Sequence, residues 1–264
     1  MKGRYIHMAT KETALSVMSN FNLAPLYDSS DVALAIREEM KGEQLELPKV
    51  KIPSGDGIMF SIKHPGEQRP EMCEYIEGIV IFHHKMNSYW SGVYGSGDAM
   101  PDCVSLDGEF GTETATGEYR YCETCPRNKF DSDPAGTGGK ACKNGERLYI
   151  LRDGEYLPLQ FILPPSALKG WRMFKQSLII PRGKKPSLRT FAAVIRIALT
   201  TDTNAKGTVY AKPTFELIGM VPEENIEGII GYAESFKKAA SRSVATQSDF
   251  IPVDSSDAEA AFKG

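Results

Sequence analysis

The chain has 264 residues, of which 41% are apolar and 25% charged, and its formal net charge is −3 at pH 7. This length and composition predict a soluble globular protein with a real core. No run approaches 18 consecutive apolar residues, which excludes a transmembrane helix, and the first residues, MKGRYIHMATKETALS, lack the apolar part of a secretory signal. We therefore expect an intracellular protein, in which clustered cysteines bind metal more often than they form disulfides.

Residues 1–45 are predicted to form an N-terminal helical segment. Helical patterns occupy 9–20 and 31–41, and Ser30 or Asp31 is suited to cap the second helix, because its side chain can accept a bond from a free N–H of the first turn.

A core domain is predicted from 46 to 242. It begins with a strand-like run at 50–63, followed by a long strand at 74–90 that is rich in β-branched and aromatic residues. Residues 91–145 have almost no periodicity and many Gly, Asp, Ser and Thr, which is typical of a loop. More than about 50 residues of loop in a compact domain are unusual, so something other than an apolar core must order this insertion.

Four cysteines in or beside this insertion have the spacing C-x18-C-x2-C-x16-C: Cys103, Cys122, Cys125 and Cys142. The C-x2-C pair can hold one ion from a tight turn while the other two ligands come from distant positions. Four thiolates close a tetrahedral Zn²⁺ shell, which predicts a structural site and not a catalytic one. Metal binding would also order a segment that has too little core of its own.

Other interpretations of the cysteines remain open. Buried free thiols, a redox pair and iron–sulfur ligation by the same four residues are alternatives, although the polar surroundings and the absence of a thioredoxin-like βαβ context disfavour the first two. Cys73 is predicted to be a free thiol. His83 and His84 are neighbours in a strand and must point to opposite faces, so we treat both as non-ligands.

Regular structure is predicted again after the insertion. A hairpin turns at Asp153-Gly154, and a helix follows Pro164 and Pro165. Two more strands and an amphipathic helix at the end of the domain follow. The side chains expected to face inward from the first of these helices are Leu168, Trp171, Met173, Phe174 and Leu178.

These elements predict a mainly β (α+β) fold. Five or more strands, with one helix between strand pairs and one terminal helix, fit an OB-type antiparallel barrel that carries helices and a zinc-ordered loop insertion.

The charge is unevenly distributed along the chain. Residues 156–201, which we call the basic segment, contain no Asp or Glu. Cations that follow a groove and flat rings that stack on bases are what single-stranded nucleic acid requires. The cations predicted to contact phosphates are Lys169, Arg172, Lys175, Arg182, Lys184, Lys185 and Arg189. The rings predicted to stack on bases, chosen because their neighbours are polar, are Tyr89, Trp90, Tyr94 and Tyr121.

The last residues, 243–264, are predicted to be a disordered acidic tail. An acidic tail beside a basic groove can compete for that groove or recruit replication or recombination proteins. A solubilising terminus is the simpler alternative.

The stretches PDCVSLDGEFG and CETCPRNKFDSDPAGTGGKACKNGERLYILRDGEYLPLQFILPPSALKGW resemble bacteriophage and mobile-element single-stranded-DNA-binding-like proteins. The shared pattern is C-x-x-C-P-x-N, a Gly-rich run, A-C-K-N and a strand that ends in L-P-P. The resemblance implies an OB-type core, a zinc insertion held by four cysteines, and a role in replication or recombination in the cytoplasm of a bacterial host. It carries over the four cysteines as metal ligands, but no base-stacking residue.

The leading prediction is a non-enzymatic single-stranded-DNA-binding protein with structural Zn²⁺. The alternative is a zinc-stabilised structural or adaptor protein that binds other proteins without touching nucleic acid. An enzyme is the least favoured class, because no P-loop, nucleophile–His signature or convincing carboxylate cluster is present. Oligomeric state and the preference for DNA over RNA are left open by the sequence.

Overall fold

The structure is a computed structural model of the chain, and it describes residues 21, 46–92, 100–136, 138–180, 183, 186–204 and 207–240. The two predicted N-terminal helices and the predicted tail lie outside the described residues. So do four of the predicted nucleic-acid contacts, namely Tyr94, Arg182, Lys184 and Lys185.

Within the described residues, eleven strands form one sheet and two α-helices pack on it. The strands are β1 (Lys49–Lys51), β2 (Phe60–Lys63), β3 (Glu71–Cys73), β4 (Tyr75–Tyr89), β5 (Cys103–Ser105), β6 (Phe110–Glu113), β7 (Tyr119–Tyr121), β8 (Lys143–Leu151), β9 (Leu159–Leu163), β10 (Ala193–Thr203) and β11 (Val209–Met220). The helices are α1 (Pro165–Ile179) and α2 (Ile226–Ala240).

The sheet order is β3-β2-β1-β9-β8-β4-β5-β6-β7, and β10 pairs with both β4 and β11. The β1–β9 pair is parallel, whereas the other pairs are antiparallel. The prediction of a mainly β, α+β fold is confirmed, but the sheet is mixed and does not close into a barrel. The expected all-antiparallel order is wrong at β1, because that strand joins the sheet beside β9 of a distant hairpin.

The long strand β4 connects two parts of the molecule. Its first half pairs with β10, through Tyr75 to Ile79, and its last three residues pair with β5. On its other edge, β8 runs along most of its length. One strand therefore supports both the helix-covered core and the cysteine-containing segment.

The side chains of β4 pack into two separate apolar clusters, because successive strand residues point to opposite faces of the sheet. Ile76 and Val80 pack in the cluster that includes Trp171 of α1, whereas Ile79 and Ile81 pack in the cluster that includes Ile229 of α2. Apolar residues on both faces give the run IVIF at 79–82 its continuous hydrophobic character, as expected for a strand buried on both faces.

Helix α1 begins at Pro165. Proline lacks a backbone N–H, but an N–H at the first position of a helix has no partner within the helix, so none is lost. Ala167, Trp171 and Leu178 are its buried residues, and the Trp171 ring lies 5.1 Å from that of Phe215. The expectation that Met173 faces inward is wrong: its side chain is exposed, because its position falls on the opposite side of the helix from Trp171 and Leu178.

The insertion predicted as loop contains three short strands, β5, β6 and β7, and a 3-10 turn at Pro126–Asn128. With three or four residues each, these strands are too short to show a period in the sequence. We call residues 100–142 the cysteine module. By contrast, the turn predicted at Asp153-Gly154 is confirmed between β8 and β9, with Gly154 at φ 72°. None of the described helices has both the length and the apolar character needed to cross a bilayer.

Candidate metal centre and nucleic-acid interface

The four predicted metal ligands are brought to one place. Cys103 begins β5, Cys122 follows β7, Cys125 immediately precedes the 3-10 turn, and Cys142 immediately precedes β8. All four side chains line one small cavity of about 20 Å³. That volume is enough to admit one atom about the size of a water molecule.

The C-x2-C turn is fixed to the sheet by Asn128. Its Nδ2 donates to the carbonyl oxygen of Cys122 at 2.8 Å. Its Oδ1 accepts from Nζ of Lys140 at 3.1 Å and from Nδ2 of Asn144 at 3.0 Å. Because Asn144 belongs to β8, this one amide holds the turn against the strand that follows the fourth cysteine.

Gly111 supplies a direct test of whether the cavity is built for sulfur. A Cβ placed on Gly111 would lie 2.9 Å from Sγ of Cys103 and 3.7 Å from Sγ of Cys122. The hairpin β6–β7 thus approaches the sulfur atoms so closely that a larger residue at position 111 would force the sulfur of Cys103 or the hairpin to shift. The residues present suit a group held by these thiols.

Burial raises the pKa of the Cys103 thiol to about 11, and the neighbouring Glu113, Cys122 and Cys125 contribute to the same rise. Burial, followed by the three other cysteines, raises the pKa of Cys142 to about 12. Thiols that destabilise one another as anions hold protons at neutral pH unless a cation is bound. A divalent metal ion supplies the opposing charge and is held by thiolates.

The cysteine side chains converge on the cavity without already adopting the arrangement of a metal shell. Among the described residues, no three His, Cys, Asp or Glu side chains have that arrangement. Rotation about the Cα–Cβ bond of each cysteine changes the position of its sulfur. Cys103, Cys122, Cys125 and Cys142 are therefore the residues that would hold the ion, and the ion would cross-link β5, the turn and β8.

Two arginines lie against the same cavity. Nη1 of Arg127 lies 2.7 Å from Oε1 of Glu113, and Nε of Arg120 lies 2.8 Å from the same oxygen. The Arg127 guanidinium also lies 4.2 Å from the centroid of the Tyr89 ring. Both cations are placed where they offset part of the negative charge of thiolates.

The described members of the predicted base-stacking set, Tyr89, Trp90 and Tyr121, lie in three different surroundings. Tyr89 is covered by Arg127 on the cavity side of the sheet. Trp90 is partly buried against a cluster around Met86. Tyr121 is well exposed at the far edge of the sheet, where its ring centroid lies 4.9 Å from that of Phe110.

The predicted phosphate contacts that the structure describes are Lys169, Arg172, Lys175 and Arg189. Lys169, Arg172 and Arg189 are exposed. Nζ of Lys175 instead lies 2.6 Å from Oε1 of Glu146, which also accepts from Nε1 of Trp171 at 2.7 Å.

Glu146 has a supporting role that the sequence does not reveal. Besides its contacts with Lys175 and Trp171, Oε1 of Glu146 lies 2.8 Å from Nδ1 of His83. Burial opposes its charge, but the bonds from His83, Lys175 and Trp171 outweigh burial and lower its pKa to about 2. No local motif could have found this cluster, because its members come from β4, β8 and α1. The same holds for Gly111 and Asn128, whose partners are distant in sequence.

Comparisons of the chain with protein-family models, with curated proteins and with solved structures found no match.

Proposed function

We propose that this protein binds single-stranded DNA with little sequence preference and acts in phage-type DNA replication or recombination. Phosphate contacts come from Lys169, Arg172 and Arg189, together with Arg182, Lys184 and Lys185 outside the described residues. The cysteine module carries structural zinc. We propose no catalytic activity.

The exposed face of α1 carries this proposal. Lys169 and Arg172 lie on it at helical spacing with Met173, and Ile179 and Ile180 follow near the end of the helix. The last three side chains are 56%, 58% and 66% exposed. A single strand presents phosphates and unpaired bases together, so cations interleaved with exposed apolar side chains suit it better than they suit a duplex.

The composition around α1 supports the same location. The basic segment has no acidic residue to repel phosphates. Lys175 belongs to this segment, but its charge is matched by Glu146, so we expect it to contribute less to DNA binding than Lys169 or Arg172.

The resemblance to phage single-stranded-DNA-binding-like proteins supports the function independently of α1. The resemblance also implies an OB-type core. The observed sheet is open and mixed, which is compatible with an α+β fold but does not display that barrel, so the OB-type core is a proposal only. Tyr121 is the exposed ring among the described members of the predicted stacking set, and its effect on DNA binding is an outcome to be measured.

A fluorescence anisotropy titration of labelled oligothymidine tests the proposal. Wild type is expected to bind at low salt and to weaken as salt increases. Charge reversal in Lys169→Glu/Arg172→Glu should reduce affinity by about tenfold or more. It should also lower the slope of log affinity against log salt by about 1.4, at roughly 0.7 for each lost phosphate contact.

The matched control is Lys63→Glu/Arg69→Glu, which makes the same charge change at exposed positions on and beyond β2. It should bind like wild type. Duplex DNA and an RNA oligonucleotide of equal length complete the series. Absence of single-strand binding at low salt, or equal losses in both variants, contradicts the proposal and favours the adaptor alternative.

A further inference from the structure

The hairpin of β6 and β7 has two unlike faces. Gly111 and Arg120 pair across the hairpin and face the cysteine cavity. Phe110 pairs with Tyr121, and Thr112 pairs with Tyr119, so these side chains point away from the cavity. We call Phe110, Tyr119 and Tyr121 the ring face.

The ring face is unusually open to solvent. Its side chains are 44%, 79% and 66% exposed in chain order. Large aromatic side chains are mostly removed from water in folded proteins, and an exposed group of them marks an interaction surface. The residues that line the cavity account for one face of the hairpin. They do not account for the three exposed rings on the other face.

The ring face also borders an open strand edge. In the described residues β7 pairs with β6 alone, and all three of its residues are exposed. An edge strand leaves a row of backbone N–H and C=O groups able to pair with an added extended segment. Backbone pairing at such an edge provides affinity, and side-chain contacts on the neighbouring face provide selectivity.

The surrounding charge indicates the kind of segment. Eight acidic residues and four basic ones lie in the cysteine module, and Glu109, Glu118, Glu123 and Asp131 are exposed around the hairpin. Arg120 and Arg127 face the other way, and both are paired with Glu113. Carboxylates and the negative faces of aromatic rings attract cations, and the carboxylates repel a polyanion such as DNA.

We propose that the ring face and the free edge of β7 bind an extended segment of a partner protein that is rich in lysine or arginine. The segment adds to the edge of β7, its cationic side chains lie over the rings and beside the carboxylates, and its apolar side chains cover Phe110 and Tyr121. This surface is separate from the exposed face of α1, and the proposal does not depend on DNA binding.

Two labelled decapeptides serve as probes: one alternates lysine with valine, and the other alternates glutamate with valine. The lysine peptide should bind the zinc-loaded full chain, and the glutamate peptide should not. Tyr119→Ser/Tyr121→Ser should weaken binding of the lysine peptide by about tenfold or more, as expected when stacked rings are removed at a hot spot. Glu109→Lys/Glu123→Lys should also weaken it, by a factor that grows as the salt concentration is lowered.

The matched control is Tyr75→Ser/Tyr156→Ser, which removes two exposed rings, 49% and 46% open to solvent, that lie outside the module. It should bind the lysine peptide like wild type. Zinc content measured for every variant shows that the module is intact. If the ring-face variant and this control bind the lysine peptide equally well, attraction is nonspecific and the proposal is wrong.

Titration of the same variants with oligothymidine separates the two proposals. Loss of DNA binding in Tyr119→Ser/Tyr121→Ser would mean that bases stack on the ring face, which overturns the peptide proposal. The Lys169→Glu/Arg172→Glu variant keeps the ring face and should bind the lysine peptide normally. If the protein does not bind oligothymidine, the peptide titration still tests the ring face. If it does not bind the lysine peptide, the oligothymidine titration still tests DNA binding.

Discussion

The cysteine module and the helix-covered core are held together by different forces. In the core, Phe60, Phe161 and Trp171 are fully buried in one apolar cluster. In the described part of the module, the buried residues are Pro101, Ser105, Gly111, Cys122 and Cys142, which together remove little apolar surface from water. Burial at roughly 25 cal/mol per Å² can stabilise the core. The module packs Met100, Val104 and Leu106 around Met86, and we expect it to need hydrogen bonds and a bound metal ion as well.

The surfaces of the helix-covered core and of the cysteine module also differ. The core presents a basic and apolar helix, while the module presents aromatic rings among carboxylates. If a metal ion held by the cysteines cross-links the module, as proposed, its aromatic rings are not needed for an apolar core and can lie on the surface.

Metal removal should unfold the module and spare the core. Structural zinc contributes an apparent ~10–16 kcal/mol in small modules, which matches or exceeds the whole stability of a typical domain, about 5–15 kcal/mol. We expect about one zinc per chain by elemental analysis. Cys125→Ser should lose that zinc and show fast hydrogen exchange in β5, β6 and β7, with slow exchange retained in β10.

Cys73→Ser is the control for this experiment, because Cys73 packs against the core cluster that contains Trp171. It should keep its zinc. Iron in place of zinc would revive the iron–sulfur alternative, and no metal at all would contradict the module's proposed dependence on it.

Glu146→Gln should destabilise the core by about 3 kcal/mol, since the pKa of Glu146 falls from 4.5 to about 2 in the folded protein. A depressed carboxyl pKa stabilises the fold above the unfolded pKa and loses that contribution as pH falls from about 5 to 2. Wild-type unfolding free energy, measured by urea titration, should therefore drop over this window, and the drop should be shallower in the variant. Identical pH profiles would show that the Glu146 cluster contributes nothing.

Gly111→Ala should weaken zinc binding by about tenfold or more, an effect comparable to loss of a supporting contact around a metal site. The added Cβ would meet Sγ of Cys103 at 2.9 Å, so the sulfur or the hairpin must move. Gly92→Ala is the control, because its Cβ meets nothing within 4 Å. Competition with a chromogenic chelator measures both, and equal affinities would mean that the hairpin yields without cost.

Gly231→Ala should act in the opposite direction, on the core alone. Gly231 lies inside α2 and a Cβ there has open space, so alanine should stabilise the helix by about 0.5–1 kcal/mol. Thermal unfolding should shift upward by a few degrees, with zinc affinity unchanged. A lower melting temperature would place unexpected strain at this position.

Much of the local structure can be predicted because it depends on neighbours in the chain. The apolar run that forms β4 is a strand over 75–89, the glycine at 154 makes its turn, and Trp171 is buried as expected. The inward side of α1 is ambiguous at Met173, because a helical pattern with many apolar residues does not single out one face. The strands β5 to β7 escape prediction because three or four residues are too few to show a period.

The candidate site divides in the same way. The spacing of Cys103, Cys122, Cys125 and Cys142 is enough to predict that they meet, since C-x2-C is a local signal for a shared ligand. The contacts that hold this cluster in place, Gly111 against sulfur and Asn128 against β8, join segments far apart in the chain.

Residue types and spacing along the chain are enough to place four thiols in a polar insertion and a set of cations in a segment without acids. Where those groups point depends on the folded chain. Strand pairing sets Tyr89 beneath Arg127 and turns Tyr121 outward with Phe110. Helix packing assigns Lys175 to Glu146 while leaving Lys169 and Arg172 in solvent. The reason is that residue type and spacing are read along one dimension, whereas exposure and partners depend on which distant segments meet.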